Sequence, residues 1–348
     1  MNYYAGIDVS LECSTVAIVD ANGKIACEGK VASEPAALVE FFRSLQLNVV
    51  RIGMEAGPLS QWLYLPMKQA QLAVELLETR HVRNAFKTMS VKTDRNDARG
   101  IAELMRVGWF RPVHCKSIEA QEIRAMLTAR KLVKSKLNDV QNSLRGILRG
   151  FGLKVGETTG PRFAARIREL VEGHPNLQMM AEALLEVHAV LRRELSNFEK
   201  RVRAIARSHT KARLLMTTPS VGAIVALTYA AAIDDPARFK SSKQAGPHFG
   251  LTPKKYQSGE TDRSGRISKV GDACVRERLY QAAHVMLTRP VKGCTELKSW
   301  GMRIAKRAGM RKAKVAMARK LAVIMHRMLA DGQPFNPNGK AGSVAAAA

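Results

Sequence analysis

Residues 3–10, YYAGIDVS, form an apolar run that carries an aspartate, Asp8, near its end. A second run, residues 49–56 (VVRIGMEA), ends in a similar way on Glu55. Both runs have the β-branched and aromatic composition of strands. A carboxylate at the end of a buried strand is costly unless it is paired or bound to a cation. We therefore expect two strands of one sheet with an acidic site at their ends.

The rest of residues 1–112 alternates strand and helix. Two further strands are predicted at 15–20 and 24–31, joined by a hairpin turn at 21–24. Helices are predicted at 35–47 and 59–71, and another strand at 72–78. This order predicts a mixed sheet that begins as a meander and is covered by helices. Together with the acids, it fits a ribonuclease-H-like α/β domain.

Two more acids open the predicted helix TDRNDARGIAELM, residues 93–105. Asp94 and Asp97 are three residues apart and share one helix face, and Thr93 can cap the helix. With Asp8 and Glu55 they can bind Mg²⁺ or Mn²⁺, and two such ions about 4 Å apart can drive phosphodiester chemistry. The alternative is that each acid is an ordinary surface residue or helix cap.

Charge is distributed unevenly along the chain. Residues 1–100 hold 11 basic and 11 acidic side chains, whereas the remainder holds 45 and 19 and so carries the whole net charge of +26. A neutral module joined to a basic remainder indicates a catalytic domain attached to nucleic-acid-binding parts. A ribosome-associated basic protein is the alternative.

Two long helices are predicted at 119–151 and 177–207, within an arm at 113–210. Apolar residues recur in them at spacings of three, four and seven, which is typical of a coiled coil or a packed helical hairpin. The seam is predicted to include Leu137, Leu144, Phe151, Val187 and Val202. Packing within one chain and pairing between two chains both remain open.

A mainly helical third domain is predicted at 211–335, ending in one long basic helix at about 298–330, with a disordered tail at 336–348. Ser258 lies in YQSGE, in a glycine-rich segment that predicts a flexible loop. Basic residues near Ser258 can neutralise a phosphate that its hydroxyl attacks. They are Lys254, Lys255, Arg263, Arg266 and Lys269. An ordinary turn serine is the alternative, and other candidate nucleophiles are Ser241, Ser242, Ser264 and Ser268.

The five cysteines form no CxxC pair and no metal-ligand spacing, which predicts a reduced cytoplasmic compartment without structural zinc. The longest apolar stretch, residues 221–233, is too short to span a bilayer, so no membrane partner is expected.

Several motifs together resemble the DEDD transposases of insertion sequences, the bridge-RNA-guided recombinases. In chain order they are GIDVS, GMEAGPLSQWL, KTDRNDARGIAEL, PSVGAIVALTYAAAI, FGLTPKKYQSGETDRSGRISKVGD and VRERLYQAA. Many relatives carry Ser-Ser-Gly-Gly where this chain has Gln257-Ser258-Gly259-Glu260. The combination covers almost the whole chain and is much more specific than any one motif.

The resemblance implies a resolvase-like ribonuclease-H fold at the N-terminus, in which Asp8, Glu55, Asp94 and Asp97 bind the metal ions. It also implies a C-terminal transposase domain in which Ser258 attacks DNA. It implies a nucleoid-associated DNA recombinase that moves its own mobile element. A non-coding bridge RNA would pair with donor and target DNA, and homodimers would assemble into a tetramer.

Two other classes of function remain open from the sequence. In a junction resolvase or similar nuclease, water would replace Ser258 as the nucleophile. A sugar-kinase or actin-like ATPase also opens with a run like GIDVS, but it needs a second phosphate loop and a repeated domain, and neither is found. A nucleic-acid-packaging protein is a more distant alternative.

Overall fold

The computed structural model describes residues 1–88, 91–158 and 160–337. Most of the tail predicted to be disordered, from residue 338 onward, lies outside the described residues. The chain divides into two compact units, Met1–Lys116 and Ser117–Ala348. The three-domain division at 112 and 210 stays a prediction.

A five-stranded mixed sheet forms the centre of the first unit. Its strands are β1 (Tyr3–Asp8), β2 (Cys13–Asp20), β3 (Ile25–Ala32), β4 (Val49–Glu55) and β5 (Val74–Leu77). The strand order is β3-β2-β1-β4-β5. The first three strands pair antiparallel as the predicted meander, and β4 and β5 run parallel to β1. The prediction of a mixed sheet is therefore confirmed.

Helices cover both faces of this sheet. They are α1 (Pro35–Ser44), α2 (Ser60–Gln69), α3 (Thr79–Ala85) and α4 (Asp94–Val107), with a 3₁₀ turn at Phe86–Thr88. Ala5 and Ile7 of β1 belong to the core that α1 and α2 close, whereas Ile101 and Met105 of α4 pack on the other face. Side chains alternate along a strand, so the even-numbered residues of β1 face α4. The short helix α3 was not predicted because its sequence has little apolar periodicity.

Helix α4 lies directly on the backbone of the sheet. A Cβ added at Gly6 would lie 2.1 Å from the carbonyl oxygen of Ala98 and 2.4 Å from the amide nitrogen of Ala102. One added at Gly53 on β4 would lie 2.7 Å from Cγ of Met105. Any larger residue at these two positions would hold the helix away from the strands.

The two glycines also determine which acids lie beneath the start of this helix. Gly6 and Gly53 pair with each other across the two parallel strands. Each lies two residues before a carboxylate, Asp8 or Glu55, and residues two apart on a strand share a face. The face that accepts α4 therefore also presents both carboxylates.

Replacing Gly6 by alanine is expected to destabilise the first unit by about 3 kcal/mol or more, because the new methyl group meets backbone atoms that cannot rotate away. Chemical unfolding followed by circular dichroism measures this. Gly29→Ala is the matched control, since a Cβ at Gly29 would only touch the Phe41 ring at 3.6 Å. Equal stability of the two variants would contradict the direct contact between α4 and β1.

The second unit begins with a long antiparallel helical hairpin. It comprises α5 (Ile118–Gly150), α6 (Pro161–Leu170) and α7 (Pro175–Ser208). Arg130 donates a hydrogen bond to Glu199 at 2.6 Å, and Gln141 forms one with His188 at 2.9 Å. The later residue of α5 thus meets the earlier residue of α7, so the two helices run antiparallel. The bounds of both long helices agree with the prediction to within two residues.

Only part of the predicted seam is buried within this hairpin. Leu137, Leu144 and Val202 are buried, whereas Phe151 and Val187 are exposed. Phe151 lies just beyond the end of α5. On α7, Leu185 and His188 are on the buried side, and Val187 lies outside that side. Phe151 and Val187 therefore take no part in packing within the hairpin, and their place in a seam between two chains stays a prediction.

The remaining elements surround an apolar core that includes Tyr229 and Phe249. They are α8 (Thr210–Leu215), α9 (Ala223–Ile233), 3₁₀ turns at Pro236–Arg238 and Ser242–Gln244, α10 (Ala245–His248), β6 (Pro253–Ser258), β7 (Thr261–Ile267), α11 (Ala273–Thr288), α12 (Thr295–Ala308) and α13 (Met310–Asp331). The single terminal helix predicted at 298–330 was wrong. It is interrupted at Gly309, whose φ of 86° lies in the left-handed region. Within the described ranges, no helix has both the length and the apolar character required for a membrane span.

Candidate active site

The four predicted acids come together where β1, β4 and α4 meet. Asp8 is the last residue of β1 and Glu55 the last of β4. Ile7 and Met54 pair in parallel register, so the residues that follow them are neighbours at the end of the sheet. Asp94 and Asp97 lie in the first turn of α4. The hydroxyl of Thr93 accepts a hydrogen bond from the Asn96 amide at 3.2 Å, as expected of the helix cap.

The negative charges of these carboxylates repel one another. Burial raises the pKa of Asp8 to about 6, with further contributions from the negative charges of Asp97, Asp94 and Glu55. The pKa of Glu55 is also raised, first by burial and then by Asp97, while the nearby Thr79 hydroxyl opposes the shift. Carboxylates with raised pKa values beside one another indicate a site that favours a positive ligand.

The chemistry of the donors suits a hard divalent cation, because all four side chains offer carboxylate oxygens. Among the residues that the structure describes, no three His, Cys, Asp or Glu side chains already form a group that could hold a metal ion. Mg²⁺ and Mn²⁺ prefer oxygen donors of this kind, so either ion suits the chemistry of the four side chains.

Lys92 is a residue of this site that the sequence reasoning did not assign. Its positive charge lowers the pKa values of both Asp8 and Glu55, which places its ammonium group near the two carboxylates. It lies two residues before Asp94, in the quoted motif KTDRNDARGIAEL. A lysine so close to the helix start could have been considered as a phosphate ligand or a counter-charge.

Ser258 lies in the second unit, at the tip of a β-hairpin rather than in the predicted flexible loop. It ends β6 and pairs with Thr261, the first residue of β7. Gly259 and Glu260 form the turn between them, and Gly259 has a φ of 54°. Nearly every residue of both strands is exposed to solvent. The loop prediction was wrong because an uncovered hairpin has no apolar alternation to reveal it.

Strand register separates the two main candidate serines. Ser258 pairs with Thr261 and Tyr256 with Arg263, and paired residues share a face. Ser264 pairs with Lys255 on the opposite face. We call the first of these surfaces the serine face, defined by Lys254, Tyr256, Ser258, Thr261 and Arg263.

The five predicted cations do not occupy equivalent positions. Lys254 and Arg263 lie on the serine face, whereas Lys255 lies on the opposite face and forms an ion pair with Asp262 at 3.0 Å. Arg266 is exposed near the irregular end of the hairpin. Lys269 follows β7, and its backbone amide donates to Gly250 O at 3.1 Å.

Two family models match the chain. One described as "Transposase" (DEDD_Tnp_IS110) covers residues 5–152 and thus all four acids. The other, described as "Transposase IS116/IS110/IS902 family", covers residues 212–296 and thus the hairpin.

Relatives that match over most of their length agree with these matches. The transposase for insertion sequence element IS1111A of Coxiella burnetii is 30% identical over 84% of this chain and 80% of its own length. A probable family 20 transposase of Pseudomonas aeruginosa is 26% identical over 81% of this chain and 83% of its own. The transposase for IS1328 of Yersinia enterocolitica is 26% identical over 72% and 74%, respectively. The chain therefore belongs to the IS116/IS110/IS902 family of transposases.

Proposed function

We propose that this transposase cuts and rejoins DNA strands to excise and insert its own mobile element. Ser258 serves as the nucleophile, and Asp8, Glu55, Asp94 and Asp97 bind Mg²⁺ or Mn²⁺. The observation that carries this proposal is the convergence of four carboxylates at one end of the mixed sheet. An aspartate on the central strand, a glutamate on its parallel neighbour and acids on a covering helix are also what a ribonuclease-H-like domain requires.

The proposed reaction is a transesterification at a DNA phosphate. A bond forms between Ser258 Oγ and phosphorus while the bond from phosphorus to the leaving sugar oxygen breaks. The proton lost by the serine ends on that sugar oxygen as a free hydroxyl. The phosphodiester energy is kept in the phosphoserine link, so a hydroxyl from a partner strand can reverse the step and join new ends.

Each group of residues has a distinct role in this reaction. A divalent cation held by the four carboxylates would neutralise charge on the scissile phosphate. Lys254 and Arg263 contact phosphates on the side of the hairpin that carries the nucleophile. The acids belong to the first unit and Ser258 to the second, so each unit contributes its own groups to the proposed reaction.

We also propose that a bridge RNA guides this transposase and that its dimers pair into a tetramer. The excess of basic residues after residue 100 suits proteins that bind the backbones of nucleic acids. A bridge RNA would then supply sequence choice through base pairing. The exposed apolar residues of the helical hairpin, Phe151 and Val187 among them, provide a surface on which dimers can pair.

Covalent trapping tests this function. The full chain is incubated with Mg²⁺, RNA transcribed from the DNA flanking the gene, and labelled duplexes carrying that flank. We expect a protein–DNA adduct that survives denaturation, with the nucleotide on the peptide containing Ser258. Cleaved ends without any adduct would instead support the resolvase-type nuclease that uses water.

A further inference from the structure

The serine face also carries a large aromatic side chain that the proposed chemistry does not use. Tyr256 lies two residues before Ser258 on β6, at a distance of about 6.6 Å along the strand. It pairs with Arg263 across the hairpin. Its side chain is 60% exposed, so the ring is accessible to a ligand.

A glycine supports one side of this ring. A Cβ added at Gly265 would lie 3.4 Å from Cε2 of Tyr256 and 3.9 Å from Cβ of Lys254. The missing side chain at this position leaves space for the ring to lie against the backbone of β7. Aromatic residues across a strand glycine are a known way to stabilise such a position. The ring is thus supported beneath and open above.

Among the described residues, the cations beside the ring have no acidic partner. Lys254 and Arg263 form no ion pair with any residue in the described parts of the chain. On the opposite face, by contrast, Lys255 is neutralised by Asp262 at 3.0 Å. The hairpin therefore has one face with an aromatic ring between two available cations and another face whose main charges cancel.

An open aromatic ring flanked by cations is the combination that binds an unstacked nucleotide. The base stacks on the ring while the cations hold the neighbouring phosphates. A two-stranded ribbon is also narrow enough to enter a DNA groove. Contacts to paired bases alone would not require an aromatic surface supported in this way.

We propose that Tyr256 is a stacking platform for the DNA base next to the phosphate that Ser258 attacks. One nucleotide leaves the duplex stack and lies on the ring, which holds the scissile phosphate in place above the serine. Tyr256 is a positioning residue in this proposal. The proposal rests on the assigned role of Ser258 and adds the state of the substrate: locally unstacked DNA.

A double-mutant cycle between protein and substrate tests the platform. The rate of adduct formation is measured for wild type, Tyr256→Ala and Tyr256→Phe, on normal DNA and on DNA with an abasic site next to the scissile phosphate. Loss of one base stack corresponds to a decrease of roughly 5- to 150-fold. We expect that decrease for Tyr256→Ala on normal DNA and for wild type on abasic DNA. Tyr256→Ala on abasic DNA should show the same decrease and no further loss. Tyr256→Phe should act like wild type, because it keeps the ring.

The controls separate this proposal from the one on which it rests. Gln257→Ala, on the opposite face, should leave the rate unchanged. If wild type forms no adduct, the proposed function itself fails. If wild type forms the adduct and Tyr256→Ala forms it equally fast, only the platform is refuted. Fully additive losses, or non-additivity seen only with abasic sites in the RNA, would also overturn a DNA-stacking role.

Discussion

Asp8→Asn is expected to reduce strand cleavage by on the order of 10³-fold or more while making the metal-free protein more resistant to heat. The loss of activity follows from removing a carboxylate that binds the cation. The gain in stability follows because burial, and then repulsion from Asp97, Asp94 and Glu55, disfavour the charged Asp8 and raise its pKa, and a neutral amide avoids both costs. Relief of repulsion raises the melting temperature by roughly 2–4 °C for each kcal/mol.

Thermal melts with and without Mg²⁺ make this prediction sharper. Wild type should melt below Asp8→Asn without the cation, and Mg²⁺ should raise the melting temperature of wild type much more than that of the variant. Glu40→Gln, an exposed acid on α1, is the control and should behave like wild type. A variant that is both inactive and less stable without Mg²⁺ would argue that Asp8 has a purely structural role.

The same repulsion predicts how pH affects the metal-free protein. The pKa of Asp8 in the folded chain, about 6, lies above its ordinary value of 3.8. Protonated Asp8 therefore favours the folded state below about pH 4, and this contribution is lost as pH rises through about 6. The stability advantage of Asp8→Asn should be small at pH 4 and full at pH 7. Equal differences at both pH values would contradict the assigned pKa shift.

Ser258→Ala is expected to abolish the covalent protein–DNA adduct, because no other atom can form the phosphoserine link at that position. Binding of the same DNA should change little, since Lys254 and Arg263 remain on the serine face. Gel separation under denaturing conditions measures the adduct, and electrophoretic mobility of the native complex measures binding.

Ser264→Ala is the matched control for this experiment. It also removes a serine hydroxyl from the hairpin, but this hydroxyl lies on the face that carries the Lys255–Asp262 ion pair. It should keep the adduct. Loss of the adduct in Ser264→Ala and its retention in Ser258→Ala would exchange the roles of the two serines.

Much of the first unit could be predicted from its sequence because its signals are local. Apolar runs ending on Asp8 and Glu55 predicted the strands, and the spacing of Asp94 and Asp97 placed both on the first turn of one helix. A glycine also stands two residues before each strand-end acid, in Gly-Ile-Asp and Gly-Met-Glu. That repeated pattern is a signal that a helix approaches the same face of both strands.

The parts that could not be predicted depend on contacts between distant residues. Two polar strands with no covered face gave no period-two apolar pattern, so the hairpin carrying Ser258 was interpreted as a loop. The choice of face for Ser258 and Ser264 depends on strand register, which their positions in the sequence do not reveal. Lys92 was quoted in a motif but has a role only because folding brings it near Asp8 and Glu55.

The first turn of α4 should unfold locally more readily than the rest of the helix. Gly6 and Gly53 hold its middle and end against the strands, while the acids of its first turn are repelled by Asp8 and Glu55. Amide hydrogens near Asp97 should exchange with solvent faster than those near Met105 when no cation is bound. A divalent cation would reverse the repulsion and slow exchange at the helix start. On the proposed function, binding of the cation would therefore also stabilise the first turn of α4 against local unfolding.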